Sequence, residues 1–338
     1  MQQHSNWFRR GWILFASFCL IASAQASNTP SESAPKTMPP EQRLQQMVQA
    51  VAQENYELAY YVMRSNSIET LRYRHGVEQG ESYAQLLFLS GPRREVIRRG
   101  DDVSYFEHNL EPFTVRSGEM VGPLPALLQV KVEQLAKHYN FIALGRGREA
   151  GSACQVIRIA SKDGLRYSYV VWVDEHSGLP LRADLLDRNG APLEQYRAIA
   201  YAVDPRIGQF LATGMAEMKL PPAIKGAEKK NHLKLPWQLT WVPEGFVAVS
   251  ENRHRLIMTE RPVESMLFSD GLFSFSVYVA EADSLSVKEQ LARQGRRTLY
   301  SNMMGDVEVT VVGDIPPTTA RKIADSFRAM STAPKPEK

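Results

Sequence analysis

Seven histidines are spread along the 338-residue chain, and no two lie closer than 22 positions. Metal sites usually show as His-x-His or His-x-x-x-His pairs, or as paired cysteines, because one strand face or helix turn must aim both ligands at one ion. Neither pattern occurs, so a metal would need residues assembled from distant positions. There is no Gly-x-Ser-x-Gly elbow and no phosphate loop ending in Gly-Lys. Gly145-Arg146-Gly147-Arg148-Glu149-Ala150-Gly151 has the glycine richness of a dinucleotide loop. Its third glycine is one position late and a strand follows, so it reads as a loop between strands. Asp101-Asp102 sits at a turn with no partner nearby in sequence. An enzyme needs a nucleophile or an acid–base pair in mutual reach. The chain shows neither, and the expectation is a protein without catalysis, metal or cofactor.

Arginine and aromatic surface is what it offers instead. Arg72 and Arg74 share a strand face, and Arg93, Arg94, Arg98 and Arg99 flank Val96-Ile97. Guanidinium forks grip the phosphates or carboxylates of lipid A or an acidic peptide. On a solvated sheet they would instead pair with Glu69, Glu95 and Asp101. Leu86-Leu87-Phe88-Leu89, Tyr105-Phe106 and residues 167–173 present apolar groups to both sides of their strands. One side must pack on helices. The other either completes a two-layer core or lines a concave, acyl-binding cavity. The expected cavity residues are Leu86, Phe88, Tyr105, Tyr167, Tyr169 and Val171. The expected anion patch is Arg72, Arg74, Arg93 and Arg94. With Tyr167, Tyr169, Val171 and Val173 facing inward, Trp172 packs outside.

These residues need strands to hold them. Residues 154–161, 165–173, 181–187 and 192–203 are apolar runs separated by Asp163-Gly164, Ser177-Gly178 and Asn189-Gly190. Asx-Gly pairs supply the positive φ of tight hairpin turns. Sequential hairpins make a meander, which argues against nucleotide-binding α/β folds. Earlier strands are expected at 56–63, 68–75, 83–89, 94–99 and 103–107, and short helices at 124–129 and 132–138. Leu44, Met47, Val48 and Val51 form one apolar stripe on a helix over 41–54. Pro205 to Pro236, with Pro221-Pro222 and a basic run over 225–234, reads as an interdomain linker. Beyond it, Phe273, Phe275, Val277 and Val279 alternate with Ser274 and Ser276 in a half-buried strand. Residues 298–303 and 307–312 pair around Gly305, and a helix covers 316–328. The fold class is therefore α+β. A curved antiparallel half-barrel sheet (41–204) carries helices on its concave side, and a smaller α+β domain (237–330) follows.

Length suits two domains of roughly 100–200 residues each. Arg9-Arg10, the apolar run 12–22 and Ala24-Gln25-Ala26 form a cleavable export signal over 1–26. The run is too short for the ~20 residues that span a bilayer. Phe18 before Cys19 does not fit a lipidation site. Cleavage removes two arginines and no acid, taking the formal charge from +3 to +1. That balance does not favour nucleic acid. It also leaves Cys154 alone, as a buried thiol or half of an intermolecular disulfide. The Pro/Ser tract 27–40 reads as disordered, and 331–338 as a polar tail.

Several strings resemble the RseB/MucB family of periplasmic negative regulators of the envelope-stress sigma factor. They include Leu71-Arg72-Tyr73-Arg74-His75, Gly91-Pro92-Arg93-Arg94-Glu95-Val96, Ser104-Tyr105-Phe106-Glu107 and Leu110-Glu111-Pro112-Phe113-Thr114. Others are Arg166-Tyr167-Ser168-Tyr169, Leu185-Leu186-Asp187-Arg188, Pro243-Glu244-Gly245-Phe246, residues 270–277 and Gly313-Asp314-Ile315-Pro316-Pro317. The likeness runs from about residue 44 to 327 and is nearer the RseB type. It implies a first domain like the lipoprotein carriers LolA and LolB. It implies a second domain and interdomain region that bind the periplasmic part of a membrane-spanning anti-sigma factor. Phe273, Arg296 and Arg297 are the expected contacts there. Binding would shield that factor from the site-one protease. Lipopolysaccharide or mislocalised lipoprotein acyl chains would trigger release. The tract 27–40 and the residues after Met330 depart from the family pattern and leave the ordered boundaries open. Two other classes stay open: a lipid carrier with no regulatory role, and an enzyme of unrecognised type. A simple carrier needs only the first domain. A homo-oligomer also stays open.

Overall fold

A helix, α1 (Pro40–Gln53), opens the folded chain, with proline in its first turn where no amide partner is lost. The computed structural model describes residues 38–120, 125–224, 235–255, 262–282, 286 and 288–330. The export signal, residues 27–37, the basic run 225–234 and the tail lie outside them. Among the described residues no helix is long and apolar enough to cross a membrane.

Strands β1 (Tyr56–Arg64), β2 (Ser67–Glu78), β3 (Glu81–Phe88), β4 (Arg94–Arg99), β5 (Asp102–Glu107) and β6 (Phe113–Arg116) follow α1. A 3-10 turn (Ala126–Gln129) and α2 (Val132–His138) lead into β7 (Tyr139–Glu149), β8 (Ser152–Ser161), β9 (Ser168–Asp174), β10 (Pro180–Leu186) and β11 (Pro192–Val203). After α3 (Arg206–Ala216) and the short β12 (Ala223–Ile224) these make a 12-stranded sheet ordered β12-β6-β5-β4-β3-β2-β1-β11-β10-β9-β8-β7. The hairpin run is as expected, with Gly164, Gly178 and Gly190 at positive φ in its turns. Pairing of β1 with β11 joins the two meanders.

Period 2 sorts the side chains. Tyr73, Leu86, Val96 and Tyr105 stand in register on one face, as do Ala183, Val171 and Ile157 across the other meander. Leu44 and Met47 of α1, Leu127 of the 3-10 turn and Leu135 of α2 cover that concave face. Tyr169, Val171 and Val173 point inward, and Trp172 lies on the outer face under Arg182.

Two segments differ from expectation. Residues 145–149 belong to β7 rather than a loop, and only Ala150-Gly151 turn. Glycine is needed at 147 because a Cβ there would lie 2.9 Å from Trp172 Nε1. The expected linker contains α3, whose Leu211 and Met215 pack on Tyr83 and Ile97 of the outer face. Its stripe was hidden among linker-like prolines and lysines. Gly208 docks α3 directly on Gly76.

The smaller part has a two-stranded ladder of β13 (Trp237–Leu239) with β20 (Phe327–Ala329), and a six-stranded sheet. The latter contains β14 (Val247–Arg255), β15 (Pro262–Ser269), β16 (Ser274–Glu281), β17 (Glu289–Gln294), β18 (Arg297–Met304) and β19 (Val307–Gly313), ordered β14-β15-β16-β19-β18-β17. Helix α4 (Pro317–Asp325) buries Ala320, Ile323 and Ala324 against it.

A buried ion pair joins the two sheets. Arg166 Nε lies 2.8 Å from Asp270 Oδ2, with side chains 1% and 0% exposed. Tyr139 donates its hydroxyl to the same oxygen at 2.6 Å. Burial first, then the Asp270 charge, pushes that phenol far above its ordinary pKa. Asp270 Oδ1 accepts the amides of Leu272 and Phe273 at 2.9 and 2.8 Å. Arg166 also donates to the Glu244 carbonyl and lies against the Tyr139 and Phe246 rings. Phe273 is thereby set on Tyr169, its ring stacked at 5.9 Å. Tyr167 donates to the Ile315 carbonyl, and Thr319 to that of Leu165.

Gly76→Ala places a Cβ 2.5 Å from Gly208 Cα, so α3 must shift. A loss of about 1–3 kcal/mol in denaturant unfolding is expected; an unchanged midpoint would show that α3 gives freely. Asp270→Ala leaves the buried Arg166 with Asp163 alone, 3.0 Å from its Nη1, and orphans the Leu272 and Phe273 amides; a cost of about 1–3 kcal/mol is expected. Limited proteolysis should then cut between the sheets faster, and wild-type resistance would contradict the lock.

Candidate binding groove at the junction of the two sheets

An open groove of about 600 Å3 lies where the second sheet meets the concave face. Its floor is apolar, built from Phe88, Val96, Tyr105, Phe113 and Val115 of β3 to β6. These are inward positions of successive strands, so alternation alone lines them up. Tyr105 stacks on Phe113 at 5.1 Å. The rim is charged, with Arg64, Arg94 and Arg296 against Glu69, Glu95 and Glu107.

The rim is one connected ladder. Arg94 Nη2 lies 2.8 Å from Glu69 Oε1, and its guanidinium covers the Phe88 ring at 3.8 Å. Glu69 Oε2 meets Arg64 Nη1 at 2.7 Å, and Arg64 Nε meets Glu194 Oε2. Glu194 Oε1 lies 3.3 Å from Arg296 Nη1, in the turn before β18. Arg296 Nη2 reaches Asp314 Oδ2 at 3.2 Å, and Arg297 Nε stands 4.0 Å from Asp314 Oδ1. Four guanidiniums thus face three carboxylates across β4, β2, β1, β11 and the second sheet. Burial raises the Glu69 carboxyl, but hydrogen bonds from Arg94 and Arg64 outweigh it and hold the group below its ordinary pKa. Burial disfavours the Arg296 charge, yet Asp314, Tyr169 and Glu194 outweigh it and hold the guanidinium protonated. Burial pushes Asp314 upward, and Arg296 and Arg297 only partly offset this. Three arginines and three glutamates ring an apolar floor, so an amphiphile with an anionic head would have to displace a carboxylate to reach a guanidinium.

The structure divides the expected residues. Phe88, Tyr105 and Arg94 meet in the groove together with Arg296. Leu86, Val171, Tyr167 and Tyr169 are on the same face but fully buried. The two tyrosines pack on Phe273, itself buried, so these rings lie between the sheets. Arg72 and Arg74 point to the outer face, where Glu57 pairs with both. Arg93 is 89% exposed beside Glu95. Adjacent residues on a strand point oppositely, so no single patch holds all four arginines. Arg297 is exposed at the ladder's end. Arg64, Glu194 and Asp314 were missed. Arg64 was findable as the next inward position after Tyr60 and Val62. Glu194 and Asp314 become partners only through tertiary contact. Cys154 is buried and unpaired, and burial, with Asp174, pushes its thiol up to about 11. Among the described residues no group of three or more His, Cys, Asp or Glu is placed to share a metal.

Residues 39–224 match the family model described as the MucB/RseB N-terminal domain, and residues 231–328 match the MucB/RseB C-terminal domain. The chain is 46% identical over 316 residues to the sigma-E factor regulatory protein RseB of Salmonella typhimurium, covering 92% of this chain and 95% of that one. It is 44% identical over 310 residues to RseB of Escherichia coli K12, covering 91% and 94%. Its fold matches that of Pseudomonas aeruginosa MucB solved in complex with MucA, with a TM-score of 0.68 at 24% identity, covering 87% of this chain and 99% of that one. On the two domain matches and on these identities, the chain belongs to the MucB/RseB family of sigma-factor regulatory proteins.

Proposed function

We propose that the chain is a periplasmic, non-catalytic regulator that holds the periplasmic part of a membrane-spanning anti-sigma factor. Holding it shields that factor from the site-one protease. The groove takes acyl chains of lipopolysaccharide or mislocalised lipoprotein, and occupancy releases the factor. The family assignment and the MucB complexes with MucA and with its periplasmic part support the partner. Phe273, Arg296 and Arg297 belong to the part proposed to bind it.

The observation that carries the release step is the ladder from Arg94 to Arg297. An anionic head entering the groove competes with Glu69 for Arg94 and Arg64. Freed Glu69 repels the incoming charge, and Arg64 loosens its hold on Glu194. Glu194 is also the first-sheet partner of Arg296. Lipid can therefore bias how the second sheet is held, to the extent that it binds the released state more tightly.

The test is affinity of the mature protein for an anti-sigma periplasmic peptide, with and without lipid A. Saturating lipid is expected to weaken peptide binding by roughly 5- to 150-fold, the usual range of such couplings. Arg94→Glu should abolish the lipid response, whereas Arg93→Glu, outside the groove, should keep it. No peptide binding, or binding indifferent to lipid, refutes the proposal.

A further inference from the structure

Gln46, Gln49 and Gln53 recur at helical spacing on the side of α1 opposite its apolar stripe. They border an open cleft of about 680 Å3, distinct from the groove. The β9–β10 turn, through His176 and Ser177, and the end of β11, through Tyr201, complete the lining. The turn is pressed on the helix. A Cβ on Gly178, at φ 75°, would lie 3.2 Å from Ala50 Cβ and 3.3 Å from Gln46 Cγ. Apart from the Tyr201 ring, the apolar lining is Ala50, Ala202 and Val203. That is too little for an acyl chain. Among the described residues no arginine or lysine lines the cleft to hold an anion.

The polar groups are held in place. Buried Arg43 is fixed by Gln155 Oε1 at 3.0 Å and donates its Nη1 to Gln46 Oε1 at 2.7 Å. An arginine only donates, so the amide oxygen of Gln46 faces it and the NH2 group is left for a ligand. Gln49 Nε2 donates to Gln53 Oε1 at 3.2 Å, which leaves Gln49 Oε1 and Gln53 Nε2 unpaired among the described residues. Tyr201 gives its one phenolic proton to Asp174 Oδ2 at 3.2 Å and accepts from Ser152 Oγ at 2.8 Å. Its hydroxyl is therefore used within the protein, and what it offers a ligand is its ring.

Neutral amides beside one carboxylate, that of Glu54, and one aromatic ring match a ligand rich in hydroxyls and free of charge. Sugar hydroxyls both donate and accept, as an amide does. The C–H face of a pyranose is an apolar surface that can lie on a tyrosine ring. The volume falls within the roughly 300–1,000 Å3 of small-ligand sites. We infer that the cleft binds a neutral oligosaccharide, with one sugar face on Tyr201 and its hydroxyls bonded to the glutamine amides and Glu54. The Glu54 carboxylate turns away phosphorylated or carboxylated sugars, which sets the cleft apart from the arginine-lined groove. The inference does not rest on the regulatory reading.

Titration calorimetry of the full mature chain with maltose, N,N′-diacetylchitobiose, maltose 1-phosphate and blocked trialanine tests this. At least one neutral disaccharide is expected to bind with a Kd below about 1 mM, and about tenfold or more tightly than the phosphate and the peptide. Replacing both Gln49→Ala and Gln53→Ala should weaken it about tenfold or more. Both glutamines are exposed, so the fold is not at stake. Tyr201→Phe, which keeps the ring, should retain most of the affinity, and Tyr201→Leu should lose about tenfold or more. Glu54→Gln should narrow the gap between neutral sugar and phosphate. On wild type, the C–H protons of the bound sugar should move upfield in proton NMR, as they do above an aromatic face. The inference is overturned if neither disaccharide binds wild type, or if the phosphate binds more tightly. It is overturned as well if affinity survives loss of both glutamines, or if trialanine binds more tightly than either sugar, which would assign the cleft to a peptide.

Discussion

Arg166 and Asp270 are buried together between two sheets, and the rest of the site follows from how that pair is satisfied. Taking two charges out of water costs several kcal/mol per ion, which attraction alone seldom returns. Here the remaining valences are used. Asp270 takes one phenol and two amides, and Arg166 takes a second carboxylate (Asp163), a backbone carbonyl and two aromatic faces. The amides it takes are those of the turn that presents Phe273. The ion pair thus fixes both the docking of the second sheet and the aromatic contact at its centre. With Phe273 on Tyr169, Arg296 comes into reach of Glu194, and the groove acquires its fourth wall.

The concave face then carries two cavities whose arginines are differently partnered. In the groove every guanidinium already has a carboxylate, so under the proposed function a ligand would have to compete, and that competition would carry its presence along the ladder. Under α1 the Arg98 guanidinium has none among the described residues and donates instead to the Gly118 carbonyl and the Ser82 hydroxyl.

Much of this was legible beforehand. The Asx-Gly turns located the hairpins, and alternation placed Tyr169 and Val171 on the face that the helices cover. It also placed Phe88 and Tyr105 inward. Alternation gives the face of a residue but not its depth. That is why Tyr167 and Tyr169, expected in an open cavity, are instead sealed by Phe273. The arginines failed as a single patch for the same geometric reason, since Arg93 and Arg94 are neighbours and must diverge. Helix α3 was masked because its apolar stripe is short and set in proline-rich surroundings, while its docking depends on Gly208 meeting Gly76 from far along the chain. Arg166 drew no attention as a lone charge beside a strand. Its role exists only once Asp270 arrives from another sheet.

The central claim is that groove and second sheet are coupled through shared carboxylates. A double-mutant cycle tests it most directly, using Arg64→Gln and Arg296→Gln, which share Glu194. The quantity to measure is the lipid-induced change in affinity for an anti-sigma periplasmic peptide. Coupled sites predict that the two effects fail to add by at least about 0.5 kcal/mol. Effects that add within that margin would mean the ladder carries no signal, and would contradict the account.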